Sequence, residues 1–169
     1  MSMQLDKVQP KNRIQLEQLI DYAFKHNIYD LNFIDNSKIT DMQELFGYVE
    51  HDFNVSKWDM SNVKNMSYMF YRCYKFTGKG IGNWDVSNVK DIGGMFAGCE
   101  KFDCDLSNWD MSNVTDMGYA FIDCEKFKGK GLENWNVTNV KNMRRMFDGC
   151  NKLTIPNWYK KLYIVKNKI

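Results

Sequence analysis

The chain has almost no excess charge, no long apolar run, no even set of cysteines and no histidine at a metal-site spacing. Each shortage removes a class of function. Its 23 basic and 21 acidic side chains leave a formal charge of +2, too small for a nucleic-acid surface or a polybasic membrane patch. The basic residues are mostly Lys and are spread over every part of the chain, as on a solvated surface. No apolar stretch approaches the roughly 18 residues that a membrane-spanning helix needs. The opening residues, MSMQLDKVQPKNR, carry no apolar segment behind a basic one, so no signal peptide is visible. Five cysteines are an odd number, and without an export signal they favour reduced thiols in a cytoplasm over a disulfide framework. The two histidines, His26 and His51, have no Cys or carboxylate at a spacing typical of a metal site or a catalytic triad.

What the chain has is repetition. Its five tryptophans stand in register at Trp58, Trp84, Trp109, Trp135 and Trp158, with Ile34 in the same place one unit earlier. Further columns follow: Ile39, Val63, Val89, Val114 and Val140; Met42, Met66, Ile92, Met117 and Met143; Leu45, Met69, Met95, Ala120 and Met146; Phe46, Phe70, Phe96, Phe121 and Phe147. Val49 opens a last column that continues as Cys73, Cys99, Cys124 and Cys150. Each unit presents the same residue to the same place in its neighbour, as a solenoid requires. The few apolar side chains of one unit do not offset the entropy of ordering its backbone, so no unit stands alone.

Within a unit, D-M-x-x-M-F-x-x-C has apolar residues at i, i+3, i+4 and i+7, which predicts a helix of about two turns. Asp41, Asn65, Asp91, Asp116 and Asn142 precede it in the place of an N-cap. The alternation around each Trp predicts one or two short strands. The turn between helix and strand comes in two versions, a longer one in TGKGIGN and KGKGLEN and a shorter one elsewhere, so the true period spans two units. Leu16, Leu19, Ile20, Ala23 and Phe24 lie at helical spacing behind a candidate N-cap, Asn12, and predict a helix laid over the first unit. The fold expected is an α/β repeat, a leucine-rich-repeat-like solenoid of about five strand–turn–short-helix units of about 25 residues, with an N-terminal capping helix. Residues 1–29 form the N-terminal cap region, 30–158 the repeats and 159–169 the C-terminal cap, all in one structural domain.

The unit W-D-[VM]-S-N-V-[KT]-[DN]-M-x-x-M-F-x-x-C-x-x-F resembles the repeat of BspA-type leucine-rich repeat proteins, in the Trp-Asp-Val-Ser-Asn-Val variant common in Mycoplasma-like and other AT-rich bacterial genomes. The resemblance covers about residues 30–158. It implies a leucine-rich-repeat-like solenoid and a role in protein binding, often adhesion at bacterial surfaces.

No motif of catalytic chemistry survives inspection. The GKG triplets at 78–80 and 129–131 lack the Gly five residues before the Gly-Lys pair and the Ser or Thr after it that a phosphate-binding loop needs, and read as turns. The stretch DCDLSN at 103–108 begins like a calcium loop, but Asn108 stands at its sharp turn and Val114 replaces the bidentate Glu. Asp59, Asp85 and Asp110, with Ser61, Ser87 and Ser112, recur in every unit, which points to a turn role, since an active site occurs once. The cysteine column is either a row of buried thiols or, at about 4.8 Å between coils, a source of pairs such as Cys73–Cys99 and Cys124–Cys150. A straight thiolate ladder does not converge on a zinc tetrahedron. Only Cys104 lies off the column. No cofactor and no metal are expected, and the chain is not read as an enzyme.

If shared letters are core, changing letters are surface. The most variable places are Gln43–Glu44, Ser67–Tyr68, Gly93–Gly94, Gly118–Tyr119 and Arg144–Arg145, then Gly47–Tyr48, Tyr71–Arg72, Ala97–Gly98, Ile122–Asp123 and Asp148–Gly149. Tyr and Arg are frequent interface anchors, so Tyr68, Tyr71, Arg72, Tyr74, Tyr119, Arg144 and Arg145 are the candidate partner-binding residues. The function expected is that of a monomeric, non-enzymatic solenoid binding another protein, without nucleic acid or a transmembrane segment. Inside the cell it would be a partner-binding or inhibitor/immunity-type protein. The alternative is a surface or adhesion module that binds host or neighbouring-cell proteins.

Overall fold

Asn12 lies in extended backbone and accepts the Gln15 amide on its Oδ1 at 3.0 Å, which starts helix α1, Arg13–Lys25. The structure, a computed structural model, describes residues 6–166. Residues 1–5, part of the opening stretch and of the N-terminal cap region, and residues 167–169, part of the C-terminal cap, lie outside the described residues. One face of α1 buries Leu16, Ile20 and Ala23 in the apolar core that runs through the repeats. At the other end helix α2, Asn157–Lys166, follows Pro156, and its Trp158, Tyr159 and Leu162 pack against the same core.

Between these two helices the expected architecture does not form. Among the described residues the only other helical pieces are short 3-10 turns at Ile81–Asn83 and Leu132–Asn134, which follow the two GKG turns. Strand pairing is reduced to isolated parallel bridges, four of them linking Asp41, Asn65, Asp91, Asp116 and Asn142 in sequence. The chain is therefore not an α/β solenoid of strand–turn–helix units, and the leucine-rich-repeat form implied by the resemblance falls with it.

The reason lies in the backbone of the run that was expected to be helical. Two residues per repeat take left-handed conformations: Glu44 and Tyr48, Tyr68 and Arg72, Gly94 and Gly98, Tyr119 and Asp123, Arg145 and Gly149, with φ from 50° to 77°. A left-handed residue every four positions breaks an α-helix into successive β-turns. Every second amide then closes a turn, as Leu45 to Met42, Gly47 to Glu44 and Val49 to Phe46. The amides between them point out of the repeat and donate to the next one. Met42, Glu44, Phe46 and Tyr48 reach the carbonyls of Asn65, Ser67, Met69 and Tyr71, and the pattern recurs at four junctions with N···O distances of 2.7–3.0 Å. A turn run of this kind places apolar residues at i, i+3, i+4 and i+7 just as a helix does.

The side chains repeat the ladder. Each Trp indole donates to a backbone carbonyl of the preceding repeat, from Trp58 to Leu31 at 3.0 Å through Trp135 to Leu106 at 3.3 Å, and Trp158 continues the series onto Leu132. Each column thiol donates to the carbonyl of the preceding Phe, as Cys99 to Phe70 at 3.0 Å. Asn88, Asn113 and Asn139 donate to the carbonyls of Ser61, Ser87 and Ser112 at 2.6–2.8 Å. The Phe rings stack along the core, Phe46 on Phe70 and Phe70 on Phe96 at 5.5 Å. Asp59, Asp85 and Asp110 accept the amides of Ser61, Ser87 and Ser112 at 2.9–3.0 Å, the turn role their recurrence suggested. The Asp/Asn column before each turn run does the same: Asp91 accepts the Gly93 amide at 2.7 Å, as an Asx turn and not as a helix cap.

The amide ladder of the turn runs has a direction: its donors face the C-terminal end, opposite to the Trp, Cys and Asn side-chain donors. At the N-terminal end the first repeat offers carbonyls, and the Arg13 guanidinium of α1 takes those of Asp41 and Gln43 at 3.1 and 2.8 Å. At the C-terminal end no described residue accepts from the amides of Met143, Arg145, Phe147 and Gly149. Hydrogen exchange followed by NMR reads this asymmetry. The amides of Met117, Tyr119, Phe121 and Asp123 should exchange about 100-fold or more slowly than their counterparts at Met143, Arg145, Phe147 and Gly149. Equal protection in the two rows would contradict the ladder.

Candidate functional site

The left-handed positions are the changing letters. The turn runs line up side by side, and their outward side chains form one face of the stack. In the third repeat these places hold Gly93, Gly94, Ala97 and Gly98, while the repeats on either side carry Tyr68, Tyr71 and Arg72, and Tyr119, Ile122 and Asp123. The result is an open cleft of about 330 Å³ with Ala97 and Gly98 among its lining. Gly94 gives the Tyr68 ring its place: a Cβ there would lie 2.3 Å from Cε1 of Tyr68.

Of the seven residues expected to bind a partner, the structure brings Tyr68, Tyr71, Arg72 and Tyr119 to this cleft. Arg144 borders it, with its guanidinium 5.9 Å from the Tyr119 ring. Arg145 does not line the cleft and is held in an ion pair with Asp148 at 2.7 Å. Tyr74 is 42 % exposed but does not line the cleft. Sequence reasoning passed over Tyr48, 61 % exposed, which meets Tyr71 edge to face at 5.2 Å and lies 5.9 Å from the Arg72 guanidinium. Its signal was its place in a variable pair. Ile122 and Asp123 were passed over in the same way.

Elsewhere the surface is occupied by ladder chemistry. Lys128 pairs with Asp103, and Lys130 with Asp105 at 2.6 Å, each across one junction beside a GKG turn. The Lys130 ammonium and the Ser107 hydroxyl hold the Asp105 carboxyl down to about 2. The five cysteines are free. Burial pushes the Cys73 and Cys150 thiols up to about 12 and those of Cys99 and Cys124 well above the ordinary range, which keeps all four protonated at neutral pH. Among the described residues no group of three Asp, Glu, His or Cys gathers as a metal would need. No helix there is long and apolar enough to cross a membrane.

Residues 14–79 and 73–162 match the model of the family described as "Mycoplasma protein of unknown function, DUF285", and the chain belongs to this family. No curated protein and no solved structure matches the chain.

One carboxylate at the junction beneath the cleft works against the fold. Burial raises the Asp91 carboxyl above its usual range, the neighbouring Asp116 charge adds to this, and the Gly93 amide only partly opposes it. A raised value in the folded state means that ionisation weakens the fold, so the penalty is absent at low pH and complete at neutral pH. The same column holds Asn at Asn65 and Asn142, and the Asn142 amide donates to both oxygens of Asp116 at 3.0 Å. Asp91→Asn should therefore raise stability to urea near pH 7 by up to about 1 kcal/mol, discounted for partial solvent screening. The gain should vanish near pH 3. A destabilised variant at neutral pH would contradict this account.

Proposed function

We propose that this member of the DUF285 family is a non-enzymatic protein-binding module whose partner seats in the Tyr/Arg cleft of the third repeat. The observation that carries the reading is where the bulky residues stand. Tyr68, Arg72 and Tyr119 have φ of 55–59°, a region that disfavours side chains by roughly 1–2 kcal/mol per residue and that Gly enters freely. Gly94, Gly98 and Gly149 fill the same columns elsewhere in the chain. Large residues kept at strained positions, converging on one cleft, support a role in recognition. Tyr and Arg supply anchoring area and hydrogen bonds at low entropic cost. The repeated Asp–Ser pairs that could pass for acid–base pairs are engaged in turns, which favours binding over catalysis.

Kinship with BspA-type repeat proteins, through the W-D-V-S-N-V motif, belongs to this proposal and supports binding to protein. The intracellular version, an inhibitor or immunity-type partner, draws on the five unpaired thiols. Display at a surface, as in the BspA-type adhesins, is the alternative that the motif itself favours.

The test transplants the small pair of the third repeat into the second. Tyr68→Gly with Arg72→Gly should leave the thermal midpoint within a few degrees, because relief of left-handed strain of about 1 kcal/mol per site offsets the lost ring packing. Proteins captured from cell lysate by the wild-type chain should fall about tenfold or more in yield on the double variant, measured by quantitative mass spectrometry. The same proteins at the same yield would sink the proposal.

A further inference from the structure

The four arginines of this molecule divide into two kinds. Arg13 pairs with Glu17 and Arg145 with Asp148. Arg72 and Arg144, one on each side of the cleft, hold no ion pair and no side-chain hydrogen bond among the described residues. Both guanidiniums are seated on Tyr rings instead, Arg72 at 5.2 Å from Tyr71 and 5.9 Å from Tyr48, and Arg144 at 5.9 Å from Tyr119. A ring seat holds the group by its face and leaves its N–H edge free for a carboxylate fork. It also limits rotamer freedom before binding, which reduces the entropy lost on association.

Resting on the protein-binding reading of the cleft, we infer that the partner contacts it with an extended acidic segment, one carboxylate on Arg72, another on Arg144 and an apolar side chain between them. The geometry sets the spacing. The two arginines belong to repeats three junctions apart, at least roughly 14 Å at about 4.8 Å per coil. An extended chain covers that in about four residues, and its residues i, i+2 and i+4 face one side. The middle one meets the cleft over Ala97 and Gly98. Asp123 is the one carboxylate in the cleft lining, against Arg72 in the lining and Arg144 at its border. A phosphate backbone fits less well, because the chain carries a formal charge of only +2.

A random dodecapeptide library displayed on phage, panned on the full chain and counter-selected on the Tyr68→Gly/Arg72→Gly variant, decides the matter. Cleft-dependent peptides should carry Asp or Glu at alternate positions flanking an apolar or aromatic residue. Their synthetic forms should lose about tenfold or more in affinity with Arg72→Gln or Arg144→Gln, and weaken as salt rises. Arg→Lys at either site should restore part of the loss, since charge returns without the fork. Cleft-dependent peptides that are neutral or basic, or indifferent to both Gln variants, overturn the acidic segment and leave the protein-binding reading standing. No cleft-dependent peptide at all sinks both. A fluorescein-labelled single-stranded RNA that binds the wild type and is released by Arg72→Gln would assign the face to nucleic acid and overturn the inference.

Discussion

The fold depends on one hydrogen bond, repeated: the amide of every second residue in a turn run donates to the corresponding carbonyl of the next repeat. Two left-handed residues per repeat make it possible. Without them the run would close on itself as a helix and satisfy its amides internally, and the amide ladder between repeats would be lost. With them, half the amides turn outward in a common direction, and identical residues stack at identical heights. The Phe, Met and Trp columns follow from that register, since a core built by stacking needs like side chains above and below.

The same constraint explains why polar letters recur as faithfully as apolar ones. A Trp indole, a Cys thiol and an Asn amide in each repeat find a carbonyl of the repeat before. The Asn amides reach Ser carbonyls that take no described backbone amide, and the Trp and Cys donors add a second bond to carbonyls that already close a turn, as at Phe70 with the Cys73 amide. The Cys column places a small, weak donor against each of these carbonyls. Burial that holds the thiols protonated is a consequence of the same position.

The columns and their register were legible because any stack requires them, and α1 was legible from its apolar stripe and its Asn12 cap. The local structure of the repeat was not. Apolar spacing of i, i+3, i+4 and i+7 fits a helix and a run of β-turns equally, and Asp or Asn before it fits an N-cap and an Asx turn equally. The deciding feature, left-handed backbone at Tyr68, Arg72 and Tyr119, is hidden when the residue is not Gly. Glycines at 94, 98 and 149 in the same columns were the one available hint. The candidate site was legible as far as the identity of its walls. Its floor was not, because Ala97 and Gly98 read as missing side chains when their smallness is what opens the cleft.

That floor carries a wider point about where function sits in a repeat protein. Five identical repeats would present five identical rows and a face without concavity. A cleft needs a row that differs from its neighbours, and here the small row lies between two rows of Tyr, Arg and Ile. The backbone tolerates the difference because the left-handed positions bear no core contact and accept Gly more readily than anything else. Gly in the third repeat is the relaxed state of those columns, and Tyr and Arg in the second and fourth are departures from it. The ladder thus separates two demands on one sequence. The inward letters are bound to repeat by the register, and the outward letters vary at the expense of backbone strain alone, so the outer face can change without the stack changing.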